Sequence, residues 1–146
     1  MRVARFACRL ALVVACTTGV AAGVQATECT LHFSTGQTLY NVPVAASLAE
    51  QERGLSKTHD VSRGMLFTWP QAAPRTFWMR DTWVPLQVGF FDSSGGLFQI
   101  EDMEPNTDTR HKSAQPAKMA LELAQGQYQS LGLVPGKTVL MRGQCN

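Results

Sequence analysis

The stretch that decides the fold is residues 64–103, GMLFTWPQAAPRTFWMRDTWVPLQVGFFDSSGGLFQIEDM. Short apolar runs alternate here with proline, glycine and serine turns, a pattern typical of β-strands in a hairpin-rich chain. The runs predict four strands, at Gly64–Trp69, Arg75–Thr82, Leu86–Asp92 and Leu97–Met103. Because neighbouring side chains of a strand point to opposite faces, the alternate apolar positions predict one buried face. Its members are Met65, Phe67 and Trp69, then Phe77 and Met79, then Leu86, Val88 and Phe90.

The residues before this stretch predict a hairpin followed by a short helix. Two strand-like apolar runs, Cys29–Phe33 and Thr38–Val44, flank a four-residue turn sequence. Ser47 is then followed three residues later by Glu50, which is the spacing of a capping box. This pair predicts a short helix that ends before Gly54, since glycine commonly terminates helices.

The residues after this stretch predict a loop, two strands and a second short helix. Residues 106–116 contain no apolar side chain larger than Ala or Pro, so they predict a long exposed loop. Strands are expected at Lys118–Leu123 and Thr138–Arg142, with a short helix at Gln125–Leu131. The whole pattern, about eight strands with one or two short helices, predicts a mainly β (α+β) fold. We expect a β-sandwich or a partly closed barrel.

The first 26 residues have the pattern of an export signal. Three arginines precede an apolar run that ends near Val20, and small residues lead to a cleavage point after Ala26. The apolar run is shorter than the ~20 residues that a membrane-spanning helix needs. We therefore predict a signal peptide at residues 1–26 and an exported, periplasmic protein. The alternative is a lipoprotein cleavage box at Val13–Cys16, which would leave Cys16 as a lipid anchor.

The remaining segment, Thr27–Asn146, has the length of a single globular domain. With 45% hydrophobic and 16% charged residues, the composition can form a core and excludes a disordered acidic tail or a fibre. The chain has 13 Lys and Arg against 11 Asp and Glu, but three of the arginines fall in the predicted signal. The mature domain thus has a slight acidic excess and no basic cluster, so we expect neither nucleic acid nor a polybasic membrane surface as a partner.

Two cysteines remain after removal of the predicted signal, Cys29 near the start of the domain and Cys145 near its end. An even pair in an exported protein predicts a disulfide, which would join the two termini. A redox-active pair is the alternative, but the Cys-x-x-Cys spacing is absent.

Aromatic side chains are concentrated in one part of the domain, between Phe67 and Phe98. Most of them fall on the predicted buried face. Trp78 does not, and on a regular strand it would share a face with Arg80 and Thr82. A ring beside a guanidinium and a hydroxyl is suited to the wall of a pocket for a flat or hydroxylated ligand. The alternative is that Trp78 covers a secondary core while Arg80 is solvated.

Several motifs in order and spacing resemble the family called domain of unknown function 192, over about residues 42–142. These motifs are Arg53–Leu55, Arg63–Phe67, Thr76–Leu86, Phe90–Asp92 with Gly96, Met103–Pro105, Ala120–Leu123 with Gly126, and Leu131–Leu133 before Pro135-Gly136. The resemblance implies a compact, mainly β domain with a short helix, often exported or attached to a membrane. It implies no reaction, because the family has no established one.

The chain departs from the family pattern at two places. The family usually has Asn-Thr-x-x-Pro-Leu-Asp, whereas this chain has Asp81 at the first position and Gln87 at the last. The acid and the amide are therefore exchanged, and we expect the two side chains to hydrogen-bond to each other. Lys137 stands where the family commonly has Asp, which places it outside any candidate acidic site.

Recognisable catalytic motifs are absent from the sequence, so whether the protein is an enzyme is left open. It has no nucleophile elbow, and His32, His59 and His111 are too far apart in sequence to predict a metal site. No cofactor is expected. The residues instead favour an exported module that binds a small molecule or a component of the cell envelope.

The candidate ligand site combines the predicted pocket wall with polar residues of the family-like motifs. Residues 106–116 are predicted to cover it. The six candidate residues are Trp78, Arg80, Asp81 and Thr82 in the wall, with Arg53 and Glu122 as polar support.

Two other function classes stay open. One is a hydrolase or lyase that uses the carboxylates of Asp81 and Glu122. The other is a copper-handling protein, because thioethers are soft ligands for copper, although core packing explains the methionines equally well. The methionines concerned are Met65, Met79, Met103, Met119 and Met141.

Overall fold

The computed structural model describes residues 27–146. The predicted signal peptide at residues 1–26 and the alternative lipidation site at Cys16 lie outside the described residues. Within residues 27–146, the chain forms nine strands and two short helices, which confirms the mainly β class. In chain order these are β1 (Glu28–Phe33), β2 (Thr38–Ala45), α1 (Leu48–Arg53), β3 (Met65–Ala73), β4 (Thr76–Phe77), β5 (Leu86–Phe91), β6 (Leu97–Met103), β7 (His111–Lys112), β8 (Ala117–Ala124), α2 (Gln127–Ser130) and β9 (Leu140–Cys145).

Seven of these strands form one curled sheet in the order β6-β5-β8-β3-β2-β1-β9, while β4 pairs with β7. The two edge strands of the sheet approach each other at one end. The amide of Leu97 donates to the carbonyl of Thr138 at 2.9 Å, and the amide of Leu140 donates to the carbonyl of Gly95 at 2.8 Å. These bonds draw β6 towards β9, so the sheet is a partly closed barrel, one of the two predicted architectures.

Helix α1 begins and ends where the sequence predicts. The amide of Ser47 donates to the Glu50 carboxylate at 2.8 Å, and the amide of Glu50 donates to the Ser47 hydroxyl at 3.4 Å. This reciprocal pair is the predicted capping box. The helix ends at Gly54, which has a φ of 48°. It connects β2 to β3, which run parallel, whereas the other pairs of neighbouring strands are antiparallel.

The first and last strands of the domain are joined covalently. Strand β1 pairs with β9 and places Cys29 opposite Cys145. The predicted disulfide between these residues is present and links positions 116 residues apart in the sequence. A cross-link over so long a loop is expected to stabilise the domain by about 4–5 kcal/mol in the chain-entropy model.

The two faces of the curled sheet have separate cores. The interior face collects side chains from all seven strands, among them Phe33, Val44, Leu66, Phe91, Leu97, Leu121, Leu123 and Leu140. The outer face is covered by the segment around Leu55 and by β4, and contains the predicted buried set. That set includes Met65, Phe67, Phe77, Met79, Leu86, Val88 and Phe90 as buried residues, with Trp69 packed against them. Strand β8 serves both faces, because Leu121 and Leu123 alternate with Ala120 and Glu122.

Two predicted segments differ from the structure. The strand predicted at Arg75–Thr82 is only two residues long, Thr76–Phe77, because Asp81 has a φ of 54° and the amide of Thr82 turns back to the carbonyl of Met79 at 3.1 Å. The exposed loop predicted at residues 106–116 contains strand β7, in which His111 is buried. This short strand forms because it supplies the backbone partners that β4 needs, a long-range requirement that the polar sequence does not reveal.

Candidate ligand-binding site

A cavity of about 400 Å³ opens on the outer face of the sheet. It lies between α1, β3, the start of β4 and the outward-facing side of β8. Its apolar wall is formed by Phe67, Trp69 and Phe77, which pack against one another edge-on or stacked; the ring centroids of Phe67 and Phe77 are 5.0 Å apart. The volume and the aromatic lining are those of a pocket for a small organic molecule.

Glu122 is the one buried carboxylate that the described residues place in this cavity. Strand alternation directs it to the outer face, where it lies opposite Met65 of β3 and Val88 of β5. The residue is 4% exposed, and within the described residues its Oε2 atom has no hydrogen-bond partner. Burial raises the pKa of Glu122 to about 8. Its carboxyl group is therefore mostly protonated at neutral pH and can donate a hydrogen bond as well as accept one.

Gly54 keeps the cavity open above this carboxyl group. A Cβ atom at position 54 would lie 3.4 Å from Cζ of Phe67 and 3.7 Å from Oε2 of Glu122. Any larger side chain would project into the space between α1 and the sheet. The positive φ at this position independently favours glycine. The residue that ends helix α1 thus also makes room beside the buried acid.

Hydrogen bonds hold the Trp69 side of the cavity in place. The Trp69 indole donates to Oε1 of Gln51 at 2.9 Å, and Nε2 of Gln51 donates to the carbonyl of Thr68 at 2.9 Å. The Arg75 guanidinium lies 4.2 Å from the centroid of the Trp69 ring. Its Nη2 donates to the carbonyl of Gln71 at 2.6 Å, and burial lowers the pKa of Arg75. An arginine remains charged despite such a shift, so a fixed cation faces the aromatic wall.

Trp78 and Arg80 lie at the rim of the cavity. Trp78 is 38% exposed, and the Arg110 guanidinium lies 4.6 Å from its ring centroid. Nε of Arg80 donates to Oδ1 of Asp108 at 2.9 Å. Residues Arg110 and Asp108 thus brace the rim from the side away from the cavity, which they do not line.

The structure brings five of the six predicted site residues together around the cavity. Trp78, Arg80, Thr82, Arg53 and Glu122 all line it. Asp81 does not, because the turn after β4 directs it away, with its carboxylate 3.9 Å from Nζ of Lys57. The carboxylates of Asp81 and Glu122 therefore do not share this cavity.

The expected hydrogen bond between Asp81 and Gln87 is wrong. Gln87 is buried, its amide donates to Asp102 at 2.8 Å, and its Oε1 accepts from the amide of Gly126 at 3.1 Å. Asp81 is exposed beside Lys57. The two positions at which acid and amide are exchanged relative to the family pattern therefore lie in separate local environments.

The predicted cover does not close the cavity in this structure. No residue of 106–116 is among those that line it, since this segment packs behind Trp78 and along β4. Gln51, Gly54 and Arg75 are among the lining residues that sequence reasoning missed as parts of the site. Gly54 and the neighbouring Arg53 lie in one family-like motif, which was a usable signal. Gln51 and Arg75 gave none, because their roles depend on Trp69.

Metal ligation finds no support in the arrangement of the side chains. Within residues 27–146, no three His, Cys, Asp or Glu side chains lie close enough together to hold a metal ion. Met65, Met79 and Met103 are buried among the apolar side chains of the outer core, and Met141 is exposed. No helix in this part of the chain is long and apolar enough to span a membrane.

The chain is similar to two proteins whose crystal structures have been solved. No curated protein shows significant similarity to the chain. A crystal structure of a candidate transcription regulator from Sinorhizobium meliloti 1021 is similar, with 31% identity and a TM-score of 0.71 over 81% of this chain and 94% of that one. A protein of unknown function from Novosphingobium aromaticivorans DSM 12444 is also similar, with 27% identity and a TM-score of 0.72 over 84% of this chain and 89% of that one.

The family model for the domain of unknown function 192, described as an uncharacterized ACR, matches residues 30–141. This range runs from β1 into β9 and includes every residue named above as lining the cavity. The chain therefore belongs to the domain of unknown function 192 family.

Proposed function

We propose that the protein is an exported single-domain module that binds a small molecule or a fragment of the cell envelope in the outer-face cavity. The observation that carries this proposal is Glu122, a buried carboxyl group that lines an open cavity and whose Oε2 atom has no hydrogen-bond partner within residues 27–146. An unsatisfied buried polar atom costs about 1–3 kcal/mol. A ligand that hydrogen-bonds to this carboxyl group would offset the destabilisation, whereas a purely structural role gives no reason for leaving the atom unsatisfied.

Export is the second part of the proposal. The sequence of residues 1–26 has the features of a signal peptide, and the Cys29–Cys145 disulfide is suited to an oxidising compartment. The description of one structural relative as a candidate transcription regulator is not carried over to this chain. The predicted mature domain lacks the clustered Lys and Arg residues that recognition of the DNA backbone requires.

The experiment is a thermal-shift screen of the disulfide-bonded protein after export. The ligands tested are neutral sugars, peptidoglycan fragments, organic acids, and Cu, Zn and Ca ions. A ligand at 100 times its Kd adds about 2.7 kcal/mol, which is several degrees for a domain of this size. Trp78→Ala removes an aromatic side chain from the rim of the cavity. Trp83→Ala is the matched control, because Trp83 is similarly exposed, at 43%, but does not line the cavity.

The proposal predicts a ligand whose thermal shift is lost in Trp78→Ala and retained in Trp83→Ala. Both variants must unfold cooperatively without ligand for the comparison to count. A complete panel without any shift would overturn the binding function. A shift lost equally in both variants would place the ligand elsewhere.

A second candidate function is an acid–base enzyme, favoured by one observation. A carboxyl group with a pKa near 8 in a cavity is poised to donate or accept a proton at neutral pH. Because Asp81 lies outside the cavity, a hydrolase or lyase here would depend on Glu122 without that partner. Glu122→Gln distinguishes the two functions. Turnover of a bound compound would fall by about 10²–10⁴-fold in an enzyme, whereas a binding module shows no turnover in either form.

A further inference from the structure

The lining of the cavity carries an excess of positive charge. Three arginines, Arg53, Arg75 and Arg80, line it, against two glutamates, Glu52 and Glu122. Glu122 is buried and mostly protonated at neutral pH, so it offsets little of this charge; the other acid, Glu52, is exposed on α1. Arg80 is already paired with Asp108 outside the cavity. Arg53 and Arg75 are then set against Glu52 alone, so the balance of the lining stays positive.

Arg53 is available to a ligand. It lies in the last turn of α1, and no ion pair of the described residues includes it. It is also next to Gly54, whose missing side chain opens the space in front of Glu122. A guanidinium in this position can form two parallel hydrogen bonds with a carboxylate or phosphate.

Arg75 contributes a second, fixed charge. Its hydrogen bonds go to the main-chain carbonyls of Gln71 and Ala117, which are dipoles and do not neutralise the guanidinium. Its stacking on Trp69 holds the charge at the edge of the aromatic wall. A ligand with an apolar body against Trp69 and Phe67 would therefore lie beside the Arg75 guanidinium, in a cavity that Arg53 also lines.

The buried end of the cavity is suited to a hydrogen-bond acceptor and not to an anion. The protonated carboxyl of Glu122 can donate one hydrogen bond, and in the part of the chain that the structure describes its Oε2 atom has no partner. A carbonyl or amide oxygen on the ligand satisfies this donor. A cationic ligand would be matched only to an ionised Glu122, and it would have to pass the arginines at the mouth.

We propose that the ligand is a small organic anion with a flat apolar body, whose acid group binds Arg53 and Arg75 and whose carbonyl oxygen accepts a hydrogen bond from Glu122. This inference rests on the proposed binding function and names the ligand class for the same cavity. Arg53 and Arg75 select the acid group, the aromatic wall selects the flat apolar body, and the buried donor Glu122 selects the carbonyl oxygen.

The test uses a matched pair of probes, 4-acetamidobenzoate and its neutral counterpart 4-acetamidobenzamide. Both have the same aromatic body and acetamide carbonyl, and they differ in the anionic group alone. Their dissociation constants are measured with the disulfide-bonded, exported protein by titration calorimetry. The acid is expected to bind about tenfold or more tightly than the amide, since a charge-assisted bond to arginine is added. This preference is expected to weaken with added salt.

Three variants locate the preference for the acid. Arg53→Gln is expected to remove most of it. Arg63→Gln is the matched control, because Arg63 is an exposed arginine that pairs with Glu28 and does not line this cavity. Asp108→Asn releases Arg80 from its ion pair at the rim, and the acid should then bind several-fold more tightly.

The outcomes separate this inference from the proposed function. Equal or weaker binding of the acid overturns the anionic ligand class, while a shift with neutral compounds in the screen above leaves the binding module standing. An acid preference that survives in Arg53→Gln, or disappears in Arg63→Gln, places the anion elsewhere and also overturns the inference. Failure of both probes and of the whole screen overturns both proposals.

Discussion

The two faces of strand β8 differ in how they treat polar atoms. On the interior face, Leu121 and Leu123 are fully buried among apolar neighbours, and the nearby Tyr128 hydroxyl donates to the carbonyl of Leu121 at 2.8 Å. On the outer face, Glu122 is almost as deeply buried, but its Oε2 atom has no hydrogen-bond partner among residues 27–146. The interior face satisfies its polar groups and stabilises the fold. The outer face leaves Glu122 Oε2 unsatisfied, beside space that a ligand could fill; the other buried side-chain atom without a partner in residues 27–146 is Nε2 of His111, on β7.

The same contrast is seen in the backbone next to each face. Gly89 lies opposite Leu121, and a Cβ atom there would be 2.2 Å from the Tyr128 hydroxyl, so glycine is needed for close packing. Gly54 is needed for the reverse reason, since its missing side chain leaves space beside Glu122. Glycine thus removes a void in the interior and preserves one on the outer face.

The largest expected effect is a loss of stability when a side chain of the interior core is truncated. Leu123→Ala removes a fully buried side chain and leaves a cavity, so we expect the free energy of unfolding to fall by about 2–5 kcal/mol. Urea denaturation measures the change. Leu48→Ala is the matched control, because Leu48 is 71% exposed, and its effect is expected to stay within about 0.5 kcal/mol. Equal losses in the two variants would contradict the assignment of the interior core.

The next prediction concerns Glu122, the neighbour of Leu123, whose substitution is expected to raise the free energy of unfolding. Below pH 4.5 the Glu122 carboxyl is protonated in both the folded and the unfolded chain. Between pH 4.5 and about 8 the unfolded chain ionises it first, so rising pH favours unfolding; above about pH 8 the difference stays constant. Glu122→Gln cannot ionise. Its free energy of unfolding should therefore exceed that of the unmodified protein increasingly with pH, by up to about 3 kcal/mol at pH 7.

Denaturation of both proteins from pH 4 to pH 9 tests this prediction. Glu52→Gln serves as the control, because it makes the same substitution at an exposed glutamate that lines the same cavity. A constant difference between Glu122→Gln and the unmodified protein over this range would show that folding does not raise the pKa of Glu122. The carboxyl group would then be no donor at neutral pH.

The smallest expected effect is at the rim of the cavity. Asp108→Asn breaks an ion pair with Arg80 in which both side chains are mostly exposed, at 63% and 68%. Such pairs contribute about 0–1 kcal/mol, so the melting temperature should change little. A large loss of stability would mean that the rim supports the fold, and the contrast between a stabilising interior and an outer face available for binding would be weaker.

Much of the fold was predictable because its signals are local. The capping box of Ser47 and Glu50 and the stop at Gly54 lie within one short segment, and helix α1 follows them. Strands β5 and β6 also agree with their predicted ranges to within one residue, since alternation and glycine turns mark both ends. Where pairing depends on distant residues, prediction failed. Strand β4 stops at Phe77, and β7 forms only because β4 provides its partner.

The candidate site divides in the same way. Trp78, Arg80 and Thr82 are near one another in sequence, so a shared environment could be expected. Glu122 and Arg53 were chosen from the family-like motifs, and strand register brings them to the same cavity. Asp81 was predicted to line the site, but its own backbone has a positive φ, and the turn there directs its side chain away from the cavity. Arg75 was missed because its role comes from stacking on Trp69.

By itself, the sequence determined the mainly β class, the helix with its caps, the disulfide pair and the apolar face of each main strand. These features follow from spacing, turn chemistry and alternation, which act over a few residues, or from a cysteine pair with no other partner in the predicted mature domain. Only the tertiary structure decided which way the sheet curls, where the cavity opens, and that Glu122 is buried without a partner. Those features depend on contacts between distant segments, and burial by distant segments is what raises the pKa of its carboxyl group.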